Sequence, residues 1–317
     1  MILIISKSTD TTTELVASWL KKLKVPFYIV NENIYWNVLI DYENNIIQIG
    51  GNDLKKFKVI WFRKYPDTLQ EIQKNSIYKK LYKSIINFSL EESKAFREYL
   101  FYELKKLNIP WLTKPFNLIQ NKIIQARMAK ERGILTPKSF IVNNKKDILK
   151  LIGDGKEYIT KPFENCIHLR YKNNIIPMKT VVINSHYNIL PETFRPALIQ
   201  ERINKKFELR IFYLLGRFYA TRVMDDDNSE VDHRVSIIAD NGRFEIYELP
   251  KDIKSKLSML LDDLDLNCAS IDMIVNNNDE FIFLEINPTG QFTYHSVFNN
   301  TYLEIEIAYA LKKMNNQ

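Results

Sequence analysis

Glycine is scarce in this chain, with 8 residues in 317. A phosphate-binding P-loop needs G-x-x-x-x-G-K-[ST], where closely spaced glycines let backbone N–H groups wrap a phosphate. No such run occurs. Cysteine is scarcer still: Cys166 and Cys268 lie far apart and form no metal-type spacing. Free thiols and a cytoplasmic location are therefore expected. No apolar run approaches the ~20 residues of a membrane span. The opening M-I-L-I-I-S-K lacks a basic leader and a small-residue cleavage site, so it reads as a first strand. Internal repeats and low-complexity blocks are also absent.

What is present describes a folded globular chain: 45% apolar and 26% charged residues, at a length that allows two or three modest domains. The formal net charge of +7 favours anionic ligands, namely nucleotide phosphates, an acidic peptide or nucleic acid. Nucleic-acid binding needs clustered Lys and Arg with interleaved aromatics. Here the lysines are dispersed over helices, so that class is not expected.

Residues 2–5, a helix over 11–24 and a strand over 25–30 make a β-α-β opening and imply a parallel sheet. The helix carries Leu15, Val16, Trp19, Leu20 and Leu23 at helical spacing, with Ser8 to Asp10 able to cap it. A hairpin is expected around Glu43 to Asn45, a buried strand at V-I-W-F-R (59–63), and a helix over 76–106. Arg63 ends its strand as either a solvated basic edge or an anion site. A boundary falls near 111–116. The next helix, 117–132, is expected to be capped by Asn117 and ended at Gly133; it carries Lys122.

Y-I-T-K-P-F (158–163) predicts a short strand that Pro162 ends, which leaves Lys161 at a terminus. Residues 164–180 form a candidate flap. Cys166 and His168 within it are too close along a strand to make a catalytic dyad and have no third orienting group. In P-A-L-I-Q-E-R-I-N-K-K-F-E-L-R-I-F-Y-L (196–214), the last seven residues alternate with period two. Glu208 and Arg210 then share one face, either as a simple cross-strand ion pair or as ligands for a ribose and a phosphate. The strand 217–223 should return across Gly216 and place Arg222 on the Glu208/Arg210 side. An acidic loop, 225–234, ends in Asp232, His233 and Arg234. Helices are expected over 251–266 and 302–313.

The most informative stretch is D-M-I-V-N-N-N-D-E-F-I-F-L-E-I-N-P-T-G-Q (272–291). Two apolar runs flank a polar tetrad, which predicts a hairpin. Residues two apart on a strand share a face, so Glu285 and Asn287 project together and Asp272 can lie alongside. Two carboxylates and an amide oxygen form the hard site that Mg²⁺ prefers, completed by substrate phosphates. The plainer reading is a surface hairpin with solvated acids.

The spacing D-x12-E-x-N followed by N-P-x-G resembles the magnesium-binding end of the ATP-grasp ligases. Upstream, Lys122, Lys161-Pro162, Q-E-R-I at 200–203, E-L-R at 208–210 and Arg222 stand in the order of that family's nucleotide-binding parts. The resemblance spans roughly residues 114–312. It implies an α/β chain with an ATP-grasp fold of α+β subdomains: an N-terminal pre-ATP-grasp domain at 1–113, a central subdomain at 114–190 and a C-terminal subdomain at 191–317. It further implies that Lys122 and Lys161 contact ATP phosphates. Gln200, Glu201, Arg202 and Ile203 line the adenine edge, Glu208 holds the ribose, and Arg210 and Arg222 neutralise phosphate. Asp272, Glu285 and Asn287 bind Mg²⁺.

A narrower resemblance is to the graspetide or microviridin-type macrocyclases, in the grasp-with-spasm peptide maturase branch. It rests on M-I-L-I-I-S, W-F-R-K-Y-P (61–66), T-K-P-F (160–163), E-L-R-I-F (208–212) and D-H-R (232–234). The glycine-rich flap usual after the second lysine is not evident. This resemblance implies ATP-dependent ω-ester or ω-amide formation between Asp/Glu carboxylates and Thr/Ser/Lys side chains of a precursor peptide, through an acyl phosphate. Asp232 would be the base, Arg234 would hold the acceptor carboxylate, and Arg210 would join them in catalysis. The implied partner is a peptide with a leader and an acidic, Thr/Lys-containing core, and a homodimer is favoured. The alternative is a ligase that joins a free amino acid to a protein or small carboxylate.

Overall fold

The apolar opening forms a fully buried strand, β1 (Ile2–Ile5). Helix α1 (Thr11–Lys22) leads to β2 (Phe27–Val30), which runs parallel to β1 with Ile2 opposite Phe27. A crossover is required here because parallel strands cannot be joined by a tight turn. A small antiparallel sheet follows: β3 (Val38–Asp41), β4 (Ile46–Ile49) and β5 (Asn52–Asp53). Asn45, at φ 51, takes the left-handed turn position between β3 and β4. Next come β6 (Val59–Phe62), the long helix α2 (Tyr82–Lys106) and β7 (Trp111–Leu112). The parallel sheet has the order β2-β1-β6-β7. Its central strands are buried throughout, which is why they read as continuous apolar runs.

The computed structural model describes residues 1–31, 37–65, 81–115, 118–119, 121–164, 168–171, 174–177, 180–224 and 243–317. It divides into two compact units. One is Met1–Asn117 with Gln291–Ser296 and Tyr302–Gln317; the other is Leu118–Gly290 with Val297–Thr301.

In the first unit, α1 turns a different face inward from the expected one. Leu15 is exposed, and Thr12 and Thr13 are buried beside Val16 and Leu20. Hydroxyls explain the rotation. Asp10 caps α1, with Oδ2 accepting from Thr13 N–H (3.0 Å) and Thr13 Oγ1 (2.7 Å). Arg63 Nε lies 3.3 Å from Asp10 Oδ2 and Lys64 Nζ 3.2 Å from Oδ1. Gln291 donates to Asp10 Oδ1 (3.0 Å) and accepts from Arg63 (2.9 Å) and Thr12 (2.6 Å). Arg63 is thus neither a solvated edge nor an open anion site: it is 3% exposed and committed to a buried ion pair.

The second unit begins with α3 (Lys122–Glu131). The expected cap, Asn117, lies outside the described residues. The helix starts later because Asn121 Oδ1 accepts from the N–H groups of Ile123 (3.0 Å) and Ile124 (3.3 Å). Gly133, at φ +69, ends it as expected. Then come β8 (Ser139–Asn144), α4 (Lys145–Ile152), β9 (Tyr158–Lys161), the hairpin β10 (His168–Tyr171) with β11 (Asn174–Pro177), β12 (Val181–Val182) and β13 (Thr193–Glu201). Four of these strands make an antiparallel sheet, β12-β9-β13-β8, over a core of Ile148, Tyr158, Ile183 and Ile199. Cys166 lies outside the described residues.

The third large sheet holds β14 (Lys205–Leu214), β15 (Arg217–Met224), β16 (Arg243–Tyr247), β17 (Cys268–Asn276) and β18 (Phe281–Asn287). Its order is β16-β15-β14-β17-β18. Leu215 and Gly216, at φ 46 and 90, form the tight turn into β15. Helix α5 (Lys251–Asp263) lays Ile253, Leu257, Leu260 and Leu261 against the apolar sheet face of Phe207, Leu209, Ile211 and Met273. The opposite face is therefore left for polar chemistry. Helices α6 (Thr293–Phe298) and α7 (Leu303–Asn315) close the chain, and α7 packs on α1 in the first unit. Among the described residues no helix is long and apolar enough to cross a membrane.

Candidate active site

Strand alternation places the polar side chains of the five-stranded sheet together. Arg210 on β14 lies directly opposite Asp272 on β17, and Asp272 lies directly opposite Glu285 on β18. Asn287 is the next residue on this face and stands opposite Ser270. Glu208 precedes Arg210 by two and so shares the face. A bulge between Asp272 and Met273, which inserts Leu284 as an extra residue on β18, keeps Glu285 and Asn287 on the Asp272 side while the apolar residues before it stay inward. The expected grouping of Asp272, Glu285 and Asn287 is thus present in the strand register.

Charges alternate across this face. Arg210 forms ion pairs with Asp272 and, at 2.9 Å, with Glu208. Lys205 Nζ lies 2.8 Å from the other Glu208 oxygen, and Lys122 Nζ 2.8 Å from Glu285. Burial pushes the Asp272 carboxyl up from its ordinary range; Arg210 offsets part of this and Glu285 adds to it. Arg210 is held in its charged form: burial opposes the charge, and Asp272 and Glu208 more than restore it. Lys205 was not anticipated. A register shift between Lys205 and Phe207 brings it to Glu208, and nothing in the alternation of the sequence signals that bulge.

Arg222 departs from expectation. The register sets it opposite Leu209, on the core-facing side, and Thr221 opposite Arg210. Its guanidinium lies over the Phe207 ring (5.2 Å) and pairs with Glu245 at 2.6 Å. The tight turn at Leu215–Gly216 fixes this pairing, and a one-residue difference in register exchanges the two faces of a strand.

The turn after β18 is closely fitted. Asn287 Oδ1 accepts from Thr289 N–H (3.1 Å), which leaves its second lone pair, and Asn287 C=O accepts from Gly290 N–H (3.1 Å). A Cβ on Gly290 would sit 2.8 Å from Ser270 Cβ and Oγ. Gly290→Ala is therefore expected to cost about 1–3 kcal/mol through overpacking. Adding Ser270→Gly should recover most of it. Thermal unfolding of the single and double variants checks this, and a double variant no more stable than Gly290→Ala would contradict it. Ser270 is a second residue that the sequence reading passed over, although its position two before Asp272 puts it on the same face. Its buried hydroxyl has no hydrogen-bond partner among the described residues.

No protein-family model and no curated protein matches this chain. Solved structures do. The macrocyclase MdnC from Microcystis aeruginosa MRC, bound with precursor peptide MdnA, matches with TM-score 0.78 and 21% identity over 98% of this chain and 99% of that one. A RiPP-associated ATP-grasp ligase from Chryseobacterium gregarium, in complex with ADP and a leader and core peptide, matches with TM-score 0.79 and 22% identity over 99% and 96%. The ATP-grasp ligase PsnB, complexed with minimal precursor, Mg and ADP, matches with TM-score 0.77 and 13% identity over 100% and 98%.

The fold is that of the ATP-grasp ligases. On the ATP-grasp fold, the residues that resemble the family's nucleotide set divide into three groups. Lys122, Glu208, Arg210, Asp272 and Glu285 come together as described, with Asn287 beside them. Lys161 ends β9 opposite Leu198, and the N–H of Lys122 donates to Phe163 C=O (3.0 Å), which ties the start of α3 to the end of that strand. Gln200, Glu201 and Arg202 are bound locally instead. Gln200 is buried and donates to Ser139 Oγ (2.8 Å); Glu201 pairs with Lys156 and Arg202 with Glu157. The N–H groups of Glu201 and Arg202 donate to the carbonyls of Lys138 (2.9 Å) and Glu157 (2.8 Å), so neither is available to a base edge. The N–H of Ile203 has no partner among the described residues. Asp232 and Arg234 lie outside the described residues.

The donor chemistry of this polar face bears on whether it fits Mg²⁺. Among the described residues no group of three or more His, Cys, Asp or Glu is arranged to hold a metal. Two facing carboxylates, an amide oxygen with a spare lone pair and an orphaned hydroxyl are all hard oxygen donors. That set fits an ion bound through one or two carboxylates plus substrate phosphates.

Proposed function

We propose that this chain is an ADP-forming ligase that uses ATP to macrocyclise a ribosomally made precursor peptide in the cytoplasm. It would link Asp or Glu side-chain carboxylates to Thr or Ser hydroxyls or Lys amines as ω-esters or ω-amides. The observation that carries this reading is the Asp272–Glu285 cross-strand pair on the face that also bears Glu208 and Arg210. The likeness in fold to MdnC with its precursor peptide, and to a ligase holding ADP with leader and core peptides, supports the choice of substrate.

Asp272, Glu285 and Asn287 would hold Mg²⁺, with Ser270 Oγ close by. When bound, the ion would neutralise charge that builds on the transferred phosphoryl group. Arg210, already fixed between two carboxylates, spreads that charge without having to reorganise. Lys122 and Lys161 supply point charges for phosphate oxygens. Glu208 keeps acceptor capacity for a ribose hydroxyl, since a carboxylate accepts about four hydrogen bonds. The Ile203 N–H is the donor left for the adenine edge.

The reaction balances in two steps. A peptide carboxylate oxygen attacks the γ-phosphorus, ADP leaves and an acyl phosphate forms. A hydroxyl or amine of the same peptide then attacks the acyl carbon and inorganic phosphate leaves. The nucleophile's proton passes to a base, the role assigned to Asp232, while Arg234 holds the acceptor carboxylate. Such a base contributes about 10²–10⁴-fold. The partner is a leader-bearing peptide with an acidic, Thr/Lys-containing core, and the enzyme acts as a homodimer.

The test first seeks a short reading frame beside the gene that encodes a Thr/Lys- and Glu/Asp-rich peptide, then combines that peptide with the chain, ATP and Mg²⁺. Mass spectrometry should show the loss of one water per link, with ADP formed in equal number. An unchanged peptide mass, with ADP formed instead on adding free amino acids, would replace this reading with amino-acid ligation.

A further inference from the structure

Strand β18 carries two of the three metal-ligand candidates and lies at the edge of its sheet. One side pairs with β17; on the other, Leu135 bridges Ile282 and accepts from Phe283 N–H (2.8 Å), and past that contact an ordinary edge strand would leave its N–H and C=O groups unpaired. At Ile286 that gap is filled by a side chain. Gln125 Oε1 accepts from Ile286 N–H at 2.9 Å, and Gln125 Nε2 donates to Ile286 C=O at 2.8 Å. The carboxamide thus stands in for a strand's peptide group at Ile286, beyond the point where Leu135 bridges this side of β18 at Ile282. A further donation from Nε2 to Ile119 C=O (2.6 Å) fixes its orientation. Gln125 is completely buried, so water does not compete for these bonds.

Ile286 is the residue between Glu285 and Asn287. Its side chain points into the core, and theirs point to the polar face. Pinning its N–H and C=O therefore fixes the pitch of the strand that aims both ligands. Gln125 lies three residues beyond Lys122 on α3, about one helical turn, and Lys122 reaches Glu285 directly. One helix so holds this segment twice, by backbone at Ile286 and by charge at Glu285.

We infer that Gln125 is a positioning residue that locks Glu285-Ile286-Asn287 in the geometry that receives the divalent ion. The inference rests on the metal reading given above. Outer partners that orient metal ligands typically change metal affinity 10–100-fold when removed. Gln125→Met keeps the length and removes all three hydrogen bonds. Gln125→Glu, buried as a neutral acid, again offers one acceptor and one donor and serves as the conservative variant.

The experiment measures Mn²⁺ affinity by electron paramagnetic resonance with a non-hydrolysable ATP analogue present. Hydrogen exchange of the peptide that carries Ile286 is followed in parallel. Ile253→Ala, a core change on α5, is the control for general destabilisation. Gln125→Met should weaken Mn²⁺ binding 10–100-fold, well beyond the control at a comparable loss of thermal midpoint, and should speed exchange at Ile286. Gln125→Glu should retain more Mn²⁺ affinity than Gln125→Met, and it keeps the comparison open if Gln125→Met does not fold. If the parent binds Mn²⁺ and neither Gln125 variant loses more than the control, the positioning role is overturned and the metal site stands. If the parent binds no Mn²⁺ with nucleotide, the metal reading and this inference fall together, while Ile286 exchange still reports on the hydrogen bonds themselves.

Discussion

Asp272→Asn is expected to lower peptide-dependent ADP formation by about a thousandfold, which corresponds to roughly 4 kcal/mol of lost transition-state stabilisation. Asparagine keeps the volume of the side chain and removes its charge. Of the facing pair, only Glu285 then remains as a carboxylate for the ion. The change also withdraws one of the two anions beside Arg210, which keeps Glu208 at 2.9 Å. The fold should survive, because the hairpin is held by its backbone ladder and by the apolar face below. A thermal midpoint within a few degrees of the parent, together with lost turnover, is the expected combination. On the proposed metal reading the substitution weakens the hold on an ion that would act on the transferred phosphoryl group, so kcat should fall more than the peptide KM rises. A coupled ADP assay separates the two parameters. Turnover within tenfold of the parent would remove Asp272 from the chemistry.

The second large effect is on stability. Asp10→Asn is expected to destabilise the first unit by about 3–5 kcal/mol, the usual cost of breaking a buried ion pair by removing one partner. Arg63 has almost no exposed surface, and Asp10 is its buried ion-pair partner. Urea unfolding measures the loss. Adding Arg63→Met to Asp10→Asn should return part of it, because the guanidinium that Asp10 balanced is then gone. The same carboxyl predicts a pH dependence. Burial acts to raise the Asp10 pKa, but Arg63, Thr13, Lys64 and Gln291 together hold it below its ordinary 3.8. The unfolded chain therefore binds this proton more readily than the folded one. The stabilisation is complete above pH 3.8 and is lost as pH falls through the depressed value. The gap between parent and Asp10→Asn should narrow in the same window, and a gap unchanged at low pH would contradict the assignment.

Much of this was legible in the chain because local pattern and tertiary demand agree. The all-apolar runs at 2–5 and 59–62 can only be strands buried on both faces, and both are. The N-N-N-D tetrad at 276–279 marked the hairpin that carries Asp272 and Glu285, and Asn276 Oδ1 organises that turn by accepting from Asn278 and Glu280. Period-two alternation in E-L-R placed Glu208 with Arg210 correctly.

The misreadings are equally specific. Arg222 went to the wrong face because its side depends on register, and a single residue of offset inverts a strand. Thr12 and Thr13 are interior positions on α1 that the apolar pattern does not mark: Thr13 is buried against its own cap, Asp10, and Ser6, and Thr12 meets Gln291, remote in sequence. Arg63 read as an edge residue for the same reason: its counter-charge at Asp10 is remote in sequence. Gln125 gave no signal at all. A glutamine on a helix is ordinarily solvated, and only the fold shows that it completes an edge strand.

The central claim is that the face bearing Asp272 and Glu285 holds the divalent ion of a bound nucleotide. A crystal grown with ADP and Mn²⁺, read by anomalous diffraction at the manganese edge, tests it most directly. The account predicts an anomalous peak about 2.0–2.3 Å from oxygens of both Asp272 and Glu285, in contact with the diphosphate. A nucleotide-bound crystal with its manganese peak elsewhere, and both carboxylates away from the phosphates, would contradict it.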